Sequence, residues 1–352
     1  MAFTKSLILA IIVGGAIAGC HQTVDVHTTI SNTPFAPSSA TSADCRTIQH
    51  PSGETEICGQ PQRIVVLGPY VLESLLALEV QPIGFADHIA VHQGDYDNPS
   101  QQIPYLGSRI MHPLANVGLA YTPSLEAILK IKPDLILGLD SNADQYEVLS
   151  KIAPTLLLKW ADTEMNLRTI GQAVERSEQA ERLLTEMAQR IAAARTTFAP
   201  LVATHPKVML LSSSQFEEIN LGNTAHGLCS SLIEALGFQL VSPPGFDDIK
   251  SASLTPISLE TLPQLNDADL VILLGSNFNE LKQLNETEHF EEYQLSNLKQ
   301  AWEANAIAQS LEASKAGRVY FIPAYLCLGL PGPIGTELYL NELKARILAT
   351  DR

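Results

Sequence analysis

Several things are missing from this chain of 352 residues. No stretch is apolar for long enough to cross a bilayer. The run Leu7–Ala18 has 12 residues, short of the ~20 a spanning helix requires. Cations are scarce, with 22 Lys and Arg against 38 Asp and Glu and a formal net charge of −16. Phosphate backbones are bound by clustered Lys and Arg, so nucleic acid is excluded as a partner, and the acidic surface suits a soluble monomer. No pair of cysteines has the CxxC spacing of a zinc knuckle or dithiol redox site. No G-x-S-x-G elbow and no phosphate-binding glycine loop occurs. Tryptophan is limited to Trp160 and Trp302.

The first residues read as a targeting segment. Lys5 supplies a positive start, the apolar run follows, and Ile17-Ala18-Gly19-Cys20 closes it. Small residues directly before a cysteine resemble a bacterial lipoprotein signal, with cleavage before Cys20 and lipidation of its thiol. The remaining 333 residues are enough for two lobes of ordinary size. Residues 20–44 are rich in Ser, Thr and Pro and read as a flexible tether.

Four cysteines then remain in an exported chain, a count that favours disulfides. Cys45 and Cys58 flank HPSGE, a hairpin tip, and are expected to pair. By counting, Cys229 would pair with Cys327; two separate buried thiols are the alternative.

The pattern beyond residue 45 alternates strands and helices, which implies an α/β fold with mostly parallel sheets. Two similar words stand out: PDLILGLDSNADQYEVL (133–149) and ADLVILLGSNFNELKQL (268–284). Each runs from Asp through a buried strand and a Gly/Ser/Asn turn into a helix. Between them residues 167–199 are rich in good helix formers at helical spacing. The expected organisation is therefore a lobe over 45–166, one connecting rod over 167–199, and a second lobe over 200–352.

In open parallel sheets ligands sit beyond the carboxyl ends of the strands. Two such lobes face to face would form a cleft from those loops. Tyr70, Tyr121, Trp160, Gln215, Phe216 and Tyr325 fall in them and are candidate ligand contacts, because aromatic and amide groups stack on and hydrogen-bond to a medium-sized polar molecule. Trp302 sits in a helical-looking word and reads as core or surface rather than as a ligand contact. His88, His92, Asp95 and His112 share one long loop and are weighed as a metal site, but no helix holds them together and a complete ligand set is not evident. His226 and Cys229 are three apart, a spacing for a Cys–His nucleophile, yet no third partner appears and no enzyme is expected.

VGLAYTPSLEAILKIKPDLILG (117–138), RIVVLGPYVLESLLAL (63–78), GRVYFIP (317–323) and PGPIGTELYLNEL (331–343) together resemble the periplasmic ferric-siderophore and cobalamin-binding proteins of ABC importers. The likeness runs from about residue 45 to 349. It implies two Rossmann-like lobes joined by a single long α-helix, limited hinge motion, no permanently bound cofactor, and delivery of ligand to a permease in the membrane. The expected cargo is a ferric siderophore of hydroxamate or citrate type; cobalamin, haem or a bare metal ion are the alternatives. One departure matters. Where hydroxamate binders carry a cation, this chain has Ala120, and Asn142 matches the family's aromatic in the next turn. Arg109 or Lys250 is the candidate replacement cation, through charge-assisted contacts to chelate oxygens. Asp144, Glu147 and Glu280 match turns that the family presents to basic pockets of the permease.

Overall fold

Buried apolar strands define two sheets. In the computed structural model the described residues are 44–90, 92–160, 162–216, 218–222, 227–244, 255–278 and 289–349. The leader, most of the tether, Cys20, His226, Lys250 and Glu280 lie outside them.

The described chain opens with a hairpin of β1 (Cys45–His50) and β2 (Gly53–Cys58). Its ends pair as Cys45↔Cys58 and are joined by a disulfide across 13 residues, as expected. The first sheet contains β3 (Ile64–Leu67), β4 (Gly84–Asp87), β5 (Ala115–Leu119), β6 (Thr122–Pro123), β7 (Leu135–Leu139) and β8 (Thr155–Leu158). Their order is β6-β5-β4-β3-β7-β8, parallel except for the short β5–β6 turn. Every residue of β3, β4, β7 and β8 is buried, the pattern of a parallel sheet covered on both faces. The chain runs from β3 to one side and returns to β7 on the other, so the switch in strand order lies between β3 and β7.

The second sheet holds β9 (Lys207–Ser213), β10 (Ile219–Leu221), β11 (Gln239–Leu240), β12 (Thr255–Ile257), β13 (Leu270–Gly275) and β14 (Val319–Pro323). β9, β13 and β14 are parallel neighbours, and β11 pairs in parallel with the start of β9. β10 and β12 add an antiparallel edge.

The connecting rod differs from expectation. The helix Thr163–Ala173 stops, and a separate helix of 28 residues runs from Ser177 to Thr204, about 42 Å at 1.5 Å per residue. Glu175 takes a left-handed conformation with φ 59°, and the Arg176 amide donates back to the Gly171 carbonyl at 2.7 Å, a Schellman stop. No glycine or proline announces it. Arg46 in the hairpin donates to the Gln172 and Ala173 carbonyls and pairs with Glu175, so a cation remote in sequence holds that stop. The long helix also continues through Pro200, because Phe198 and Leu201 on either side of it are buried. Ala180 and Leu184 join the core beneath the first sheet, while Ala194, Phe198 and Leu201 join the second.

The end of the chain ties the two halves a second time. Tyr325, Leu330 and Ile334 belong to the first core, and Tyr339, Leu340 and Leu343 to the second. Cys327 is bonded to Cys229 in the helix Gly227–Ala235 across 98 residues. The closing helix Pro333–Leu343 begins against Glu73, a fully buried carboxylate in the helix Pro69–Ala77. Glu73 accepts from the Gly332 amide at 2.8 Å and the Gly335 amide at 2.6 Å, which places an acid at a helix start where unpaired N–H groups and the dipole favour it. A Cβ at Gly335 would lie 1.7 Å from the Leu330 carbonyl oxygen, so this approach requires glycine.

Burial pushes the Glu73 carboxyl up to about 7, against the pull of those amides and of Arg109. A native carboxyl that keeps its proton to higher pH than the unfolded one adds stability at low pH, and that contribution is lost as pH rises from 4.5 to about 7. The melting-temperature difference between wild type and Glu73→Gln is therefore expected to shift against wild type between pH 5 and pH 8. A pH-independent difference in thermal scans would assign this carboxyl an ordinary titration.

Candidate functional site

Both sheets point their carboxyl ends at one hollow of about 420 Å³. From the first sheet come Tyr70 after β3, His88 after β4, Tyr121 after β5, Asp140 and Ser141 after β7, and Trp160 after β8. From the second come Phe278 after β13 and Tyr325, Leu328 and Gly329 after β14. Tyr70 and Asp140–Ser141 flank the β3/β7 switch, the position at which α/β sheets open a crevice.

The rings in this hollow are braced rather than loose. His88 lies 5.7 Å from Tyr70, 5.2 Å from Tyr325 and 6.2 Å from Phe278, centroid to centroid. Its Nδ1–H donates to Asp87 Oδ1 at 3.0 Å, and the Ile89 amide donates to the same oxygen. Tyr325 is buried and packs edge-on against Phe290 at 4.9 Å and stacked on Tyr105 at 5.7 Å. The Tyr325 amide donates to Gln294 Oε1 at 2.9 Å. Burial, then the neighbouring Tyr121 and Asp87, push the Tyr70 hydroxyl well above the usual tyrosine range. Burial does the same to Tyr325. Both hydroxyls therefore stay protonated donors at neutral pH.

Four of the residues singled out from sequence meet here: Tyr70, Tyr121, Trp160 and Tyr325. His88 enters as a ring of the hollow, not as one of a cluster of histidines. Phe278 was missed, although it ends the second Gly-Ser-Asn turn, the counterpart of the turn that holds Asp140 and Ser141. Behind them Tyr105 and Phe290 pack against Tyr325, in stretches whose sequence has no periodicity to betray a buried ring.

The other candidates lie elsewhere. Asn142 is buried and committed to the backbone: its Nδ2 donates to the Ala120 carbonyl at 2.7 Å, and its Oδ1 accepts from the Leu139 amide at 3.2 Å. It clamps the two matched turns together instead of facing a ligand. Arg109 borders a different hollow, with Leu76, Leu183, Met187 and Arg190. Phe216 is buried against Trp302 at 5.9 Å, and Gln215 sits beside it at a third hollow. Trp302 is core, its Nε1–H donating to Ser314. Asp144 and Glu147 are exposed, and Glu147 pairs with Lys151 at 2.7 Å.

His92 is held by Gln102 and the Asp95 carbonyl, and Asp95 accepts from the Asn116 amide; these bonds pin the long loop. Among the described residues the one group with metal-ligand spacing is Cys45, Glu56 and Cys58, and its two sulfurs are already bonded to each other. Cys229 is likewise in a disulfide, which removes it as a nucleophile.

Comparison with known proteins agrees with this geometry. The Fe(3+) dicitrate-binding periplasmic protein FecB of Escherichia coli (strain K12) is 31% identical over 232 residues, covering 64% of this chain and 71% of that one. The Fe(3+)-citrate-binding protein YfmC of Bacillus subtilis (strain 168) is 28% identical over 287 residues, covering 79% and 78%. The crystal structure of Staphylococcus aureus SirA complexed with staphyloferrin B has the same fold, with a TM-score of 0.66 at 23% identity, covering 85% of this chain and 97% of that one. The family described as periplasmic binding protein matches residues 64–326, three quarters of the chain, and the protein is a member of that family.

Proposed function

We propose that this protein captures a ferric siderophore in the hollow between its two sheets and delivers it to an ABC permease. The observation that carries this reading is the meeting of Tyr70, Tyr121, Trp160, Phe278 and Tyr325 from the strand ends of both sheets, in a chain whose relatives are named for binding Fe(3+) chelates. A cavity of this size and lining suits a compact small molecule. Members of the family are solute-binding proteins, and the role calls for no reaction: iron enters and leaves inside its chelator. Lipidation at Cys20 would hold the protein on the outer side of the cytoplasmic membrane through the 20–44 tether. The exposed Asp144 and Glu147, together with Glu280, would meet basic pockets on the permease.

Trp160 borders the hollow and Trp302 is buried in the second half. A panel of ferric siderophores is expected to quench fluorescence saturably in wild type and in Trp302→Phe. Trp160→Phe should lose most of the quench while calorimetry still registers binding. A panel that gives neither quench nor heat would end the proposal.

Because Arg109 borders another hollow, Arg109→Ala is expected to leave affinity for the bound siderophore unchanged. Tyr70→Ala should weaken it by about tenfold, ~1.4 kcal/mol. The reverse ranking in titration calorimetry would return the cation to the site.

A further inference from the structure

We infer that the hollow selects a ferric chelate of low net charge that presents aryl rings, in preference to a citrate-type polycarboxylate or an aliphatic hydroxamate. This rests on the reading of the hollow as a ferric-chelate site and goes beyond it by naming the chemical class of cargo.

Six rings converge on the space: Tyr70, His88, Tyr121 and Trp160 from one sheet, Phe278 and Tyr325 from the other. Aryl faces and edges are the natural partners of such a lining, in offset or edge-on contacts. The inner rings are held before any ligand arrives. Phe290 and Tyr105 brace Tyr325, and Asp87 fixes the His88 ring. Rings already in place add affinity without the entropy cost of ordering them.

The charges argue the same way. Bare carboxylates of a polyanionic chelate need charge-assisted donors when they leave water. Among the described residues, the eleven that line the hollow include no lysine or arginine. They include Asp140, and Asp87 lies buried directly behind His88, so a polyanion would meet acidic groups. What the lining offers instead are neutral donors. Tyr70 and Tyr325 keep their hydroxyl protons and suit phenolate or hydroxamate oxygens whose charge is already shared with iron. Two of the relatives are named for ferric citrate; the lining of this hollow favours a different cargo.

The test uses a matched pair of probes. Ferric tris(benzohydroxamate) and ferric tris(acetohydroxamate) share the same neutral iron–oxygen core and differ in whether a ring is attached. Calorimetry on the whole chain, in excess hydroxamate and with the iron-free hydroxamates as controls, is compared with ferric citrate. The benzohydroxamate complex is expected to bind about tenfold tighter than the acetohydroxamate complex, with ferric citrate weakest. Tyr121→Ala, a substitution at a half-exposed rim position, should cut that ratio about threefold, and Phe278→Leu should cut it as well. A ratio near one, ferric citrate as the tightest probe, or a ratio untouched by both variants would overturn the inference while leaving ferric-siderophore capture standing. Failure of all three probes and of the siderophore panel would remove the chelate site and the inference together.

Discussion

A parallel sheet buried on both faces has no freedom in its interior. Every position of β3, β7 and β8 is buried, and variation is left to the loops at the strand ends. Here two such sheets turn those ends toward each other, so the free positions of both converge on one hollow. The recognition surface follows from that constraint. Each ring in the hollow lies one to three residues beyond the end of a strand.

What keeps the two sets of loops in register is a shared scaffold rather than a simple hinge. The helix Ser177–Thr204 contributes to both cores along its length, and the closing helix does so again with its start held by Glu73. Two independent bridges resist twisting far more than one. Placing a carboxylate at that second bridge carries a cost in desolvation, offset by two backbone donors that have no partner within their own helix. The hollow is correspondingly preset, with inner rings braced from behind.

Much of this could be read from the residues. The strands β3, β7, β8, β9, β13 and β14 and both cysteine pairings followed from periodicity and counting, because burial imprints itself on the order of apolar residues. Four of the rings that line the hollow followed from their place at strand ends. The interruption at Glu175 was invisible, since its determinant is Arg46, more than a hundred residues away in sequence. Asn142 was misread for a related reason. An amide in a turn has the same local signature whether it faces a ligand or clamps the Ala120 carbonyl. Arg109 was assigned from charge alone, and charge does not say which of several hollows a long side chain borders. Tyr105 and Phe290 were overlooked because a turn and a helix of six residues are too short to carry a period.

The sharing of cores also orders events during biosynthesis. Tyr325, Leu330 and Ile334 complete the hydrophobic interior beneath the amino-terminal sheet, yet they follow its last strand, β8, only after the whole of the second sheet. Until then that half lacks an aromatic and two aliphatic anchors, and Glu73 lacks its partners. Contacts of such long sequence separation form slowly. Neither half can therefore close its interior before the segment shared by both cores, residues 325–343, has docked.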